Sequence, residues 1–387
     1  MGSKRILASI AIFALLTAGC GGFKMGVSDE EILIGTWAPL TGPASNLSSI
    51  AHAMDAYFQH INDEGGIHGR KLRLIIKDDG YDPSRTPAVV TELVETDGVF
   101  GILGGNGTAN CLAVKDYIAL KFMPWINPGS GARIWTNPMN AYIFSTFPSY
   151  VTEGRILARY VTEELEVEKY GMFYQDDSFG REGQEGVRLG LRAANEAIDV
   201  EQTYTVGNND LADVAQKFKD EEVDLIFLWT ISEGAAALVN AIAALEDYSP
   251  QIVATQILSD PVMFELAGEA WEGAIIASSV PETNSDAPGT AKARDIIAKY
   301  GDGLEFGTYT YWGVARAEIL VEGLRRTGPE LSRLAFIQAL EKVEGWTDNF
   351  VGAEISFSNE NHQGLNAVHL SKAEGGKLVH LSGWLES

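Results

Sequence analysis

Hydrophobic positions change period along this chain in a regular order. Ile32-Leu33-Ile34-Gly35-Thr36-Trp37 is a continuous apolar run of strand length, and Ile50, Met54, Tyr57 and Ile61 then recur at spacings of four, three and four. That spacing puts them on one face of a helix over 48–63, which Gly65-Gly66 ends. Leu72-Arg73-Leu74-Ile75-Ile76 is the next strand, and Asp82-Pro83 opens a helix with Asp82 as its cap. A strand over 99–103 and a helix over 109–121 follow, then a strand at 123–126. A second series starts near Tyr150: helix 152–165, strand 170–174, helix 180–197, strand 201–206, helix 210–221, strand 225–229 and helix 233–246. Residues 289–341 predict three more helices, one from Tyr309 to Arg326. The tail predicts short strands at 355–357, 367–370 and 377–379. Strands alternating with helices define an α/β class with parallel sheets covered on both faces. Two series of similar size predict two lobes of like architecture.

The first twenty residues follow a different rule. Lys4 and Arg5 precede an apolar run from Ile6 to Leu16, and Thr17-Ala18-Gly19 lead into Cys20. A basic start, a short apolar core and small residues before a cut predict a secretory signal over 1–19. The run is short of the roughly 20 apolar residues that a permanent membrane helix needs. Leu16-Thr17-Ala18-Gly19-Cys20 resembles a bacterial lipobox, which implies that Cys20 is lipidated and anchors the mature protein outside the cytoplasmic membrane. An ordinary signal peptide with a chance cysteine is the other reading.

Composition narrows the partners. Lys+Arg 29 against Asp+Glu 53 gives a net charge of -24, a field that repels phosphate backbones and argues against nucleic acid. After Cys20 only Cys111 remains, so packing rather than an internal disulfide must hold the mature chain together.

Parallel α/β sheets place ligand sites beyond the carboxyl ends of their strands, where helix N-termini expose free N–H groups. Gly104-Gly105-Asn106-Gly107-Thr108 sits at such a point, and Asn127-Pro128-Gly129-Ser130-Gly131 is a second loop of the same kind. Together they suit an anion such as a carboxylate, with Asn106, Thr108, Gly129, Ser130 and Gly131 as candidate contacts. A tight turn with Thr108 as N-cap is the alternative. Asp78-Asp79 and Asp176-Asp177 stand at strand ends, where capping and hinge bonds compete with acid–base chemistry. Neighbours on a strand point to opposite faces, which favours the former. No His-x-x-x-His, Cys-x-x-Cys, Gly-x-Ser-x-Gly elbow or phosphate loop occurs, and Gly105-x-Gly107-x-x-Asn110 lacks the third glycine of a dinucleotide loop. No catalytic set, metal or cofactor is expected.

Several segments resemble one family. Ile34-Gly35-Thr36-Trp37-Ala38-Pro39-Leu40-Thr41-Gly42-Pro43 is similar to the opening strand and turn of the branched-chain amino-acid-binding proteins of ABC importers. Ile61-Asn62-Asp63-Glu64-Gly65-Gly66-Ile67-His68-Gly69-Arg70, Ile126-Asn127-Pro128-Gly129, Tyr174-Gln175-Asp176-Asp177-Ser178-Phe179-Gly180 and Asp260-Pro261 through Gly268 resemble later blocks. Ser356-Phe357-Ser358 with His362-Gln363-Gly364 resembles the tail of one branch, so the likeness runs over about 30–387. It implies a type I periplasmic binding fold: two Rossmann-like lobes, 28–148 plus 281–350 and 149–280 plus 351–387, joined by three crossings after a tether at 20–27. A small ligand would lie between closing lobes and pass to a membrane permease driven by ATPase subunits. A ligand sensor that signals to a membrane partner is the alternative on the same fold.

Residue by residue, the resemblance makes Thr108 the hydroxyl that holds a ligand carboxylate, and Gly129 and Ser130 backbone contacts. Gly131 falls where amino-acid binders have a threonine, and Leu47 where an aromatic is frequent. Phe179 is an aromatic wall, and Ser232 or Ile231 falls near a tyrosine that flanks the amine. Gln256 falls where an acid pairs with the substrate ammonium, and a glutamine carries no charge for that task. The expected ligand is therefore an aromatic or short aliphatic acid or amide without a free α-ammonium, with branched-chain amino acids second. Trp37, Trp125 and Trp229 stand near strand ends as further candidate wall residues, with core packing as their other reading.

Overall fold

The protein is described by a computed structural model over residues 26–386. The segment over 1–19 expected to be a secretory signal, and Cys20, lie outside the described residues.

The first series forms β1 (Glu31–Ala38), α1 (Ser48–Asp63), β2 (Lys71–Asp78), α2 (Thr86–Thr91), β3 (Gly101–Leu103), α3 (Thr108–Leu120), β4 (Trp125–Ile126) and β5 (Ile143–Phe144). The strands pair in parallel in the order β2-β1-β3-β4-β5. This order reverses direction between β1 and β3, so helices diverge there and leave a crevice at the strand ends. Ile50, Met54, Tyr57 and Ile61 of α1 are all buried, as their spacing requires.

The second series gives α4 (Tyr150–Glu164), β6 (Tyr170–Gln175), α5 (Ser178–Ala193), β7 (Val200–Tyr204), α6 (Ala212–Asp220), β8 (Leu225–Trp229), α7 (Ser232–Ala243), β9 (Gln251–Ala254), α8 (Val262–Ala267) and β10 (Ile275–Ser278). Then α9 (Pro288–Tyr300), α10 (Thr308–Thr327) and α11 (Arg333–Leu340) precede β11 (Ala367–Glu374), β12 (Lys377–His380) and β13 (Leu385–Glu386). The second sheet runs β12-β11-β10-β9-β8-β6-β7, parallel from β7 to β10, with β11 and β12 antiparallel at one edge and β13 paired to β11. Its reversal lies between β6 and β8. Although α9 and α10 follow β10 of this sheet, they pack on α1 of the first.

Packing in the second series depends on close helix approach. A Cβ on Gly154 of α4 would lie 2.7 Å from the Val187 nitrogen of α5, and one on Gly183 of α5 would lie 2.1 Å from the Trp229 ring. Asp177 caps α5 through the N–H groups of Phe179 (2.9 Å) and Gly180 (3.2 Å).

Three expectations change. The helix expected to open at Asp82-Pro83 starts at Thr86, because the Asp82 carboxylate accepts from the Ser84 N–H at 2.8 Å and closes a turn instead. Ile355 makes a single antiparallel bridge to Trp346 rather than a strand over 355–357. The apolar runs at 251–254 and 275–278 are strands that the periodicity reading left unassigned; both are too short to show a period.

Candidate functional site

The carboxyl ends of the two sheets face each other across a small cavity. Its wall takes Asn106, Gly107 and Thr108 from the loop after β3, Gly129 from the loop after β4, and Leu47 and Ile50 from the start of α1. The second series contributes Tyr150, Phe179, Ile231 and Ile257, while Trp312 and Arg316 reach in from α10. The cavity volume is about 30 Å³, room for roughly two waters.

Gly107 is the N-cap of α3 at φ 94°, so Thr108 is the first helical residue rather than the cap. The Thr108 and Ser130 hydroxyls lie 2.8 Å apart, both buried, and Ser130 Oγ also accepts from the Ala132 N–H at 3.2 Å. The loops are stitched together by the Gly129 N–H to Gly105 carbonyl (2.7 Å) and the Gly107 N–H to Gly129 carbonyl (3.3 Å). Asn106 faces the cavity but uses its amide N–H on the Leu47 carbonyl at 3.2 Å. A Cβ on Gly131 would meet the Pro148 carbonyl at 2.5 Å and the Tyr150 ring at 2.8 Å. Tyr150 thus occupies the space that a threonine at 131 would need.

Arg316 is the residue that sequence reasoning missed. Its guanidinium is buried, with no hydrogen bond or ion pair to another described residue, and Nη1 has no partner. The cation stands 5.4 Å from the Phe147 ring centroid and 5.6 Å from that of Trp312. Burial lowers its pKa to about 10, so it stays charged at neutral pH. Among the described residues the wall contains no Asp, Glu, His, Lys or Cys. A lone cation over aromatic faces, beside two hydroxyls at a helix N-terminus, is suited to an anionic group.

Other candidates are placed elsewhere. Gln256 is fully buried, and its amide donates to Glu153 Oε2 at 2.7 Å; Glu153 Oε1 takes the Gln256 N–H and the Thr255 hydroxyl, each at 2.7 Å. Glu153 draws Gln256 away from the cavity. Ser232 Oγ sits 2.7 Å from the Tyr309 hydroxyl, which donates to the Ile257 carbonyl at 2.9 Å. Trp37 and Trp125 pack at 5.5 Å in the core of the first sheet, with Trp135 beyond. Trp229 lies under Gly183 and edge-on to Tyr150. These three indoles are fully buried core residues, and only Phe179 of the four named aromatics reaches the wall.

The paired acids are committed to loop geometry. Asp78 accepts from the Leu40, Thr41 and Gly80 N–H groups and the Thr41 hydroxyl. Asp79 accepts from Tyr81 N–H, Thr86 Oγ1 and Asn110 Nδ2. Across the cleft, Arg133 N–H donates to Glu182 at 3.0 Å and its guanidinium meets Glu185 at 3.3 Å, clasping the loop after β4 to α5.

Two largely parallel α/β sheets that share a cavity at their switch points, with the chain passing repeatedly between them, define a type I periplasmic binding fold. The chain belongs to the periplasmic binding protein family, whose model matches residues 31–377. A Leu/Ile/Val-binding protein of Rhizobium johnstonii, BraC3, is 22% identical over 354 residues, 91% of this chain and 94% of that protein. Among solved structures, a branched chain amino acid ABC transporter protein from Thermus thermophilus with bound valine superposes with TM-score 0.85 at 23% identity, covering 93% of this chain and 98% of that one. A solute binding protein of an ABC transporter from Rhodopseudomonas palustris BisB5, in complex with 3,4-dihydroxy benzoic acid, gives TM-score 0.82 at 20% identity, with 93% and 98% covered.

Proposed function

We propose that this protein is the extracytoplasmic capture subunit of an ABC importer and that its ligand is a small organic acid. By this reading the lobes are 28–148 plus 281–350 and 149–280 plus 351–387. They close on the ligand, and the closed form docks on a permease with ATPase subunits. Cys20 carries the lipid that keeps the protein at the membrane.

The observation that carries the ligand class is the unpaired Arg316 guanidinium in the cavity wall. A buried cation without a counter-ion is costly, and a ligand carboxylate supplies the missing partner. Thr108 and Ser130 then add hydrogen bonds at the α3 N-terminus. Among the described residues no wall carboxylate stands ready for an α-ammonium, and the nearby Glu153 has both oxygens engaged by Thr255 and Gln256. Apolar contacts from Leu47, Ile50, Ile231 and Ile257 and the Phe179 and Trp312 rings favour an aromatic or short aliphatic body. The dihydroxybenzoate bound by the Rhodopseudomonas relative shows that this fold accommodates an acid without an amine. A cavity of about 30 Å³ is smaller than any such ligand, so capture requires the lobes to part.

Calorimetry with hydroxybenzoates, phenylacetate, short 2-oxo acids, leucine, isoleucine and valine tests the assignment. The acids without an amine should bind and the amino acids should bind more weakly or not at all. Tight leucine, isoleucine or valine binding that survives Arg316→Gln would overturn it.

A further inference from the structure

A second cluster of chemistry lies away from the cavity, at the antiparallel edge of the second sheet. In the β11–β12 hairpin Ser371 pairs with His380, and His369 lies two residues before Ser371 on the same face. The chain leaving β10 brings Glu282 against that face. Glu282 Oε1 lies 2.7 Å from His380 Nδ1 and 3.5 Å from His369 Nδ1. One ligand atom from each of the three residues can be chosen so that all lie within 4.8 Å of one another.

The tautomer of His369 gives this cluster its meaning. Its Nε2 is 2.7 Å from the Val280 carbonyl, which can only accept, so Nε2 carries the proton. His369 is 3% exposed, and in the neutral ring with its proton on Nε2 the Nδ1 atom is the acceptor. Its Nδ1 lone pair therefore points toward a carboxylate, and Nδ1 has no hydrogen-bond partner. A buried acceptor facing another acceptor calls for a cation between them. The Ser371 hydroxyl donates to the same Glu282 Oε1 at 2.9 Å and fixes that oxygen, and the Val280 carbonyl fixes His369. Carbonyl and hydroxyl partners of this kind orient ligands in metal sites.

We propose that Glu282, His369 and His380 bind a divalent transition ion of the zinc type. Two imidazoles and one carboxylate favour zinc, copper or nickel over calcium or magnesium, and three protein ligands leave one position for water. That position opens on a groove of about 480 Å³ lined by Pro281, Asn284, Lys377 and Trp384. Neither imidazole spacing nor any motif signals the site, because β11, β12 and the segment after β10 meet only in the folded chain. The ion would tie the chain that leaves β10 for α9 to the β11–β12 hairpin. The inference uses the sheet edge alone and does not depend on the ligand of the main cavity.

The experiment is titration of chelator-treated full-length protein with zinc and with cobalt at pH 7.5, followed by calorimetry and visible absorption. One ion should bind per chain, with cobalt bands of nitrogen and oxygen coordination and no thiolate charge-transfer band. His380→Ala should weaken binding about 100-fold or more, as should Glu282→Gln. The His380 side chain is 58% exposed, so the metal-free variant should melt with the wild type. Zinc should raise the melting midpoint of the wild type and not of either variant. Absence of stoichiometric uptake, uptake unchanged in His380→Ala, or equal binding of calcium would each overturn the proposal.

Discussion

Arg316→Met separates stability from affinity. The guanidinium is held near 10 instead of 12.5, which corresponds to about 3 kcal/mol of charge burial without compensation. That penalty applies throughout the pH range below about 10, because the group is charged in both folded and unfolded chains there. Methionine keeps the length of the apolar stem, and with it much of the packing beside Phe147 and Trp312, but removes the charge. The ligand-free variant should therefore be more stable by up to about 3 kcal/mol, roughly 4 °C in melting midpoint for a chain of this size. Ligand binding should move the other way. Truncating one member of a buried hydrogen-bonded charge pair costs about 2–5 kcal/mol, or roughly 30- to 5,000-fold in Kd. Differential scanning calorimetry of the free protein and isothermal titration with an aromatic acid measure the two effects on one preparation. A variant that melts lower than wild type while binding the acid equally well would show that Arg316 is a packing residue and refute the charge argument.

Three further outcomes follow from the described contacts. Burial pushes the Glu153 carboxyl up to about 7, so the folded state holds a proton that the unfolded state releases from about 4.5 upward; stability from this site falls by about 3 kcal/mol between those pH values and is flat above. Glu153→Gln should remove that part of the pH slope in denaturant titrations at pH 5 and 8, with Gln256 turning its unpartnered Oε1 toward the new amide; a slope unchanged from wild type would contradict it. Gly131→Thr, which introduces a hydroxyl beside Ser130, should cost about 1–3 kcal/mol because Tyr150 and the Pro148 carbonyl fill the space; an unchanged urea midpoint would disprove the steric account. Cys20→Ser should release the protein from membranes or leave it unprocessed, and a wild-type N-terminal peptide without acyl mass would dismiss the anchor.

Much of the fold was legible because helix and strand periods are local. Ile50, Met54, Tyr57 and Ile61 announced α1, and both glycine loops announced the strand ends on which the cavity is built. Contacts across long sequence separations were not legible. The resemblance sets Gln256 against an acid of amino-acid binders, yet the direction of its side chain is decided by Glu153, 103 residues earlier. The tryptophans failed for a related reason: a strand end opens onto ligand or onto a helix, and Gly183 settles that for Trp229 only once α5 is in place. Arg316 did leave a trace. It stands between Ala315 and Ala317 in a helix whose residues are buried continuously from Thr308 to Ala317, with no solvated face to receive a charge. An arginine inside such a run is a site candidate on physical grounds.

The arrangement around Arg316 also gives the protein an intrinsic optical reporter. Of its eight tryptophans, Trp312 alone lines the cavity, and the Arg316 cation lies over its ring. The electric field of that cation acts on the indole excited state, and a ligand carboxylate of the kind proposed would cancel most of it. Fluorescence from this one residue should change wavelength when the cleft fills, against a steady background from the other seven. Occupancy can then be followed in real time without a label.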